Sequence, residues 1–230
     1  MDLEKDLSKY PYEILTENYL DYDISFKLIV IGDSGIGKSQ LINKAIKKKI
    51  DEDYSATVGF EFSTFNIKIK DKICKLQIWD TCGQEVYKSL ILNFYRNSSL
   101  VILVYSIANI SSFQHLENWK NEIGNNCISD TKVILVGNKN DLENEREVSY
   151  EDGLNFCKKN QFDYFFESSN ITGYNVLNIF IKAAFLLYED FIQKKNSSMI
   201  SETSDFQKSI SIDPTKTSMK EKDSTCCFFS

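Results

Sequence analysis

Eight residues, Gly32 to Ser39, read GDSGIGKS and fit the pattern G-x-x-x-x-G-K-[ST]. This spacing handles phosphate. Glycines let the backbone wrap a phosphate closely and adopt positive φ. The amides of Gly35, Ile36, Gly37 and Lys38 can then point inward, together with the start of a following helix. The Lys38 ammonium adds a charge for β- and γ-phosphates, and the Ser39 hydroxyl is a hard oxygen suited to Mg²⁺. The motif has meaning only between a strand and a helix, and its flanks supply both. FKLIVIG (26–32) reads as a buried strand entering a glycine turn, and KSQLINKAIKKK (38–49) as a helix.

The rest of the chain must supply the scaffold. FEFSTFNIKI (60–69) and ICKLQIWD (73–80) predict a hairpin around KDK. LVILVYSI (100–107), KVILVGN (132–138) and DYFFES (163–168) predict further buried strands. Between them, Phe113, Leu116, Trp119 and Ile123 recur at helical spacing, as do Leu154 and Cys157. A last helix is expected at about 175–193. Strands alternating with helices predict an α/β fold, a mostly parallel six-stranded sheet flanked by helices on both faces. In such sheets ligands bind beyond the carboxyl ends of the strands, where the phosphate motif falls.

Composition sets bounds. The formal net charge of −6 argues against bulk nucleic-acid binding. Seven acids and two lysines make residues 1–25 an acidic extension of net −5. Tyr10, Tyr12, Ile14, Leu15, Tyr19 and Leu20 allow this extension a short docked helix. Residues 26–196 form the expected domain, and 197–230, rich in Ser, Thr and Lys, read as a disordered tail. No apolar run approaches the ~20 residues of a membrane-spanning helix, and the amino terminus lacks a secretory pattern. One histidine and the absence of a Cys-x-x-Cys pair point away from zinc. His115 lies in a predicted helix remote from the motifs and receives no role.

With VGNKND (136–141) and WDTCGQE (79–85), the chain resembles the small GTPases of the Ras superfamily over roughly residues 26–193. The resemblance implies a P-loop domain that binds GTP or GDP with Mg²⁺. It assigns nucleotide contacts to Ser34, Gly35, Ile36, Gly37, Lys38, Ser39 and Gln40 in the phosphate loop. Asp141 would accept from guanine N1–H and the N2 amine, with Asn138 bracing the phosphate loop and Lys139 covering the base. Adenine lacks those donors, and such polar pairing discriminates strongly. In the ESSNITG stretch, Ser169, Asn170 and Ile171 would complete the base site, Asn170 through its backbone amide to O6. Ser39, Thr57 and, through water, Asp80 would hold Mg²⁺; the Gly83 amide would meet the γ-phosphate, and Gln84 would orient the attacking water. Departures from the family pattern are Ile50 for an aromatic ring, Cys82 and Asn170 for alanine, and Ile171 for lysine. Ile50 and Ile171 imply weaker nucleotide affinity or faster release.

GDSGIGKS, KLQIWDTCGQE, FYRNSS and ILVYSIANISSFQHLENW are similar to the Rab branch. That likeness implies a GTP/GDP switch in vesicle-mediated membrane traffic, hydrolysing GTP slowly. Phe60, Phe62, Trp79 and Tyr95 would form an exposed aromatic patch read by effectors. The ending CCFFS resembles the paired prenylation cysteines of Rab proteins, at Cys226 and Cys227. The implied partners are an exchange factor, a GTPase-activating protein, a prenylation escort, a GDP-dissociation inhibitor and effectors. The implied location is the cytoplasmic face of intracellular membranes, lipid-anchored and cycling with cytosol. Two other readings stay open: a signalling GTPase outside the Rab branch, and a nucleotide-dependent scaffold with little hydrolysis. Ile50, Ile171 and Cys82 keep the scaffold open, whereas Gln84 argues against it.

Overall fold

Five strands share one direction at the centre of the fold: β2 (Ile24–Ile31), β4 (Lys72–Thr81), β5 (Leu100–Ser106), β6 (Lys132–Asn138) and β7 (Tyr164–Glu167). β3 (Phe60–Ile69) runs antiparallel beside β4, joined by a tight turn at Lys70 and Asp71 where Lys70 takes φ 55°. The computed structural model describes residues 8–16, 19–46, 60–81 and 94–210, with side chains to 197 except those of 60 and 81. The sheet order is β1-β3-β4-β2-β5-β6-β7.

The central strands are apolar on both sides because both faces are covered. Alternate residues Ile29, Ile31, Val101, Leu103, Val133 and Leu135 join Leu116, Ile123 and Cys157 in one cluster. Those helical residues come from α3 (Leu116–Asn126) and α4 (Tyr150–Lys159). The intervening residues Leu28, Val30, Ile102, Val104, Ile134 and Val136 are equally buried and point the other way. On that side lie the buried residues of α1 (Lys38–Ala45) and of α5 (Val176–Ile210), including Phe180, whose ring packs 5.7 Å from that of Phe65. The α/β class and two-faced cover agree with expectation.

Three details differ. First, the described residues form a sheet of seven strands. The seventh, β1 (Tyr12–Leu15), pairs antiparallel with the outer edge of β3, from Tyr12 opposite Ile69 to Leu15 opposite Asn66. Among its described residues the extension therefore docks through a strand, in place of the expected short helix. The β3 edge offers unpaired backbone groups, and satisfying them favours extended pairing. Tyr10 fixes the approach, its ring edge-on to Phe185 at 5.7 Å and Tyr188 at 5.8 Å, with Lys70 4.4 Å above it. Second, the helix expected around Phe113–Ile123 is broken at His115 into α2 (Ile110–Gln114) and α3. Asn109 caps α2 by accepting the Ser112 N–H. Third, the last helix continues to Ile210, into the segment whose composition reads as unstructured.

Candidate nucleotide-binding site

The phosphate motif forms the turn from β2 into α1. Gly32 has φ 138°, and a β-carbon there would collide with the Val104 carbonyl oxygen, so the backbone requires glycine. Gly37, at φ 94°, caps α1. Lys38 is buried, and its ammonium donates to the Gly32 oxygen at 2.8 Å and the Asp33 oxygen at 2.6 Å. The cation is thus held inside the curve of the loop.

Asp80 ends β4 beside Val30 of β2. Burial pushes its carboxyl above the usual carboxylate range, while Ser39 and the Lys38 charge oppose that rise. The Ser39 hydroxyl lies close enough to favour the anion, and neither buried carboxylate oxygen has a fully formed hydrogen bond among the described residues. A buried, unpaired carboxylate beside a serine hydroxyl at the start of α1 is a hard oxygen donor set. These residues fit Mg²⁺.

The second half of the site is built by the loops after β6 and β7. Asn138 is fully buried; its amide donates to the Ile36 oxygen at 2.7 Å and accepts from Ser168 Oγ at 3.2 Å. Lys139 turns the chain through φ 67° into a 3₁₀ helix, Asn140–Glu145. The Asn140 N–H meets the Ser168 oxygen at 2.9 Å. Ser169 Oγ donates to Asp141 Oδ1 and accepts from the Thr172 N–H, which orients the carboxylate. Asn170 reaches the phosphate loop from this side, its Nδ2 2.9 Å from the Gly37 oxygen. Ile171 is 73% exposed. Behind both loops, Glu167 accepts two bonds from the Arg146 guanidinium, at 2.7 and 2.8 Å, and one from Asn140 at 2.8 Å.

Sequence reasoning missed two supports. One is the Arg146–Glu167 pair. The other is Asp33, whose carboxylate is gripped by Trp119 Nε1 at 2.8 Å and faces His115 Nδ1 at 2.7 Å. His115, given no role above, thus touches the phosphate loop. Its four-residue spacing from Trp119 places both on one helical face.

Among the expected effector aromatics, Phe62 is exposed and packs edge-on to Trp79 at 5.1 Å. Tyr95 does not share that surface. It is completely buried in the core cluster, where its ring belongs to the inward side of the segment entering β5. Thr57, Cys82, Gly83, Gln84, Ile50, Cys226, Cys227 and the Phe60 side chain lie outside the described residues.

A phosphate loop, a buried carboxylate across from it and an N-K-x-D loop braced against it define a P-loop nucleotide-binding domain of the GTPase class. Residues 27–189 match the model of the Ras family, and the chain belongs to that family. It is 38% identical over 180 residues to "Ras-related protein Rab-11B" of Dictyostelium discoideum, covering 78% of this chain and 81% of that protein. It is 36% identical over 208 residues to "Ras-related protein RABA1c" of Arabidopsis thaliana, covering 90% and 95%. "Ras-related protein Rab11B" of Nicotiana tabacum is 37% identical over 174 residues, covering 76% and 80%. The expected Rab likeness and GTPase class are thereby borne out.

Proposed function

We propose that the protein is a Rab GTPase whose switch is read by regulators and effectors in membrane traffic, with the residues above in the following roles. The amides of Gly35 to Lys38 and the Lys38 ammonium hold the β- and γ-phosphates. Asp141, oriented by Ser169, pairs with guanine N1–H and the N2 amine, while Lys139 covers the base. Ser39, Thr57 and Asp80 would hold Mg²⁺, which would neutralise charge on the phosphate oxygens. Gln84 orients a water that attacks the γ-phosphorus as the bond to the β–γ bridging oxygen breaks, giving GDP and phosphate. Loss of the γ-phosphate releases Thr57 and Gly83, and the altered surface around Phe62 and Trp79 is what partners distinguish.

The observation that carries this reading is the bond from Asn138 to the Ile36 oxygen. It joins the base-recognition motif to the phosphate loop, so that one nucleotide can span both. Membrane attachment belongs to the same proposal. Among the described residues no helix is long and apolar enough to cross a membrane. Prenyl groups on Cys226 and Cys227 would supply an anchor, because one chain holds only marginally and a tail of net −1 adds little attraction. Intact mass of the protein from its own cell reads them directly.

The test of the switch is GTP turnover with Mg²⁺ in wild type and Gln84→Leu. Wild type should hydrolyse on the order of 10⁻⁴ s⁻¹ without an activating protein, and the variant more slowly. Equal rates would remove Gln84 from the mechanism.

A further inference from the structure

Two side-chain amides grip consecutive carbonyls of the phosphate loop, one from each base-recognition loop. Asn138 Nδ2 holds the Ile36 oxygen at 2.7 Å, and Asn170 Nδ2 holds the Gly37 oxygen at 2.9 Å. The first bond belongs to the N-K-x-D motif. The second needs a side chain where the family pattern has alanine, so it is a property of this chain's Asn170.

We propose that Asn170 is a positioning residue for nucleotide retention, acting through its side-chain bond to Gly37 on the phosphate-facing amide of Lys38. The reasoning rests on the function proposed above and follows from peptide geometry. In a trans peptide unit the C=O and the next N–H point in opposite directions. Fixing the Ile36 carbonyl therefore aims the Gly37 N–H, and fixing the Gly37 carbonyl aims the Lys38 N–H. Both are amides that the loop offers to phosphate. The Gly37 oxygen also accepts the Leu41 N–H at 2.9 Å, the first internal bond of α1. Its two lone pairs are thus both engaged, and the peptide plane is held from the helix and from Asn170 together.

The fit around Gly37 is close. A β-carbon on it would stand 2.7 Å from Nδ2 of Asn138 and 2.7 Å from Nδ2 of Asn170. Asn170 is itself 6% exposed, and its Oδ1 has no partner among the described residues. Turning the amide over would set that oxygen against the Gly37 oxygen, acceptor to acceptor, so the donor must face the loop.

Release of a fluorescent GDP from the full chain, with Mg²⁺ present, tests the proposal in wild type, Asn170→Ala and Asn170→Asp. Alanine is the residue usual at this place in the family, so the fold accommodates it. Its release should be about 3–10-fold faster, the worth of one net hydrogen bond. Aspartate keeps the shape but offers only acceptors to the Gly37 oxygen, and its release should be faster still. Inosine diphosphate, which lacks the 2-amino group, should be released faster by the same factor as GDP in each variant, because the effect runs through phosphate. Unchanged or slower release from either variant overturns the proposal, as does a factor that differs between the two nucleotides. A wild-type chain that retains no guanine nucleotide sinks the functional reading itself; a wild type that retains GDP alongside unaltered variants sinks only the role of Asn170.

Discussion

Replacing Arg146 with methionine should destabilise the domain by an amount that the geometry sets. The guanidinium makes two bonds to Glu167, and the side chains of the pair are 18% and 7% exposed. Arg146→Met leaves the Glu167 carboxylate buried with, among the described residues, the Asn140 amide as its remaining partner. Breaking a buried pair from one side costs about 3–5 kcal/mol, and the partial exposure of Arg146 favours about 3. For a domain of this size that lowers the melting temperature by about 6–12 °C. The assay is thermal and urea unfolding at one fixed, saturating concentration of GDP and Mg²⁺, since bound nucleotide itself contributes stability. The double variant Arg146→Met/Glu167→Gln should recover at least half the loss, because the stranded charge is gone while the Asn140 contact survives. A single variant within about 1 kcal/mol of wild type, or a double variant no more stable than the single, would refute the reasoning.

Other consequences can be measured directly. Trp119→Phe removes the indole donor from Asp33 and should speed GDP release several-fold; an unchanged rate would show that this grip does not restrain the phosphate loop. Tyr10→Ala removes two edge-to-face contacts, with Phe185 and Tyr188, worth about 1–3 kcal/mol together; urea unfolding reads it, and no loss would mean the extension is not energetically docked. Burial pushes the thiol of Cys74 up to about 12 and that of Cys157 up to about 11. The unfolded chain releases those protons near pH 8.5 and the folded chain does not, so stability should fall as pH rises from about 9 towards 11. A urea midpoint at pH 10 equal to that at pH 7, or a decline undiminished in a Cys74→Ala/Cys157→Ala variant, contradicts this.

The parts of the molecule that local chemistry determines were legible in the chain. Glycines at 32 and 37 announce a backbone that no side chain can follow, and the continuous apolar runs at 100–107 and 132–138 announce strands covered on both faces. What escaped depends on contacts between distant segments. Four residues, Tyr12 to Leu15, carry too little pattern to reveal β1, whose pairing is decided by an open edge more than fifty residues away. Tyr95 looked like a surface ring because its type does not say which way it faces, and it is buried. Asp33 reads as an ordinary variable place in the phosphate motif, and only the packing of α3 shows Trp119 and His115 upon it. Arg146 and Glu167 are two charges among many until the loops after β6 and β7 are seen side by side.

The amino-terminal strand has a practical consequence for handling the protein. A chain trimmed to the span shared with the Ras family, from residue 27, would bare the main chain of Asn66 to Ile69 and the aromatic faces of Phe185 and Tyr188. Exposed amides and rings on a sheet margin invite a second molecule to lie down there. Shortened versions of this protein should self-associate more than the full chain, because Tyr10 and the strand Tyr12–Leu15 cover that margin.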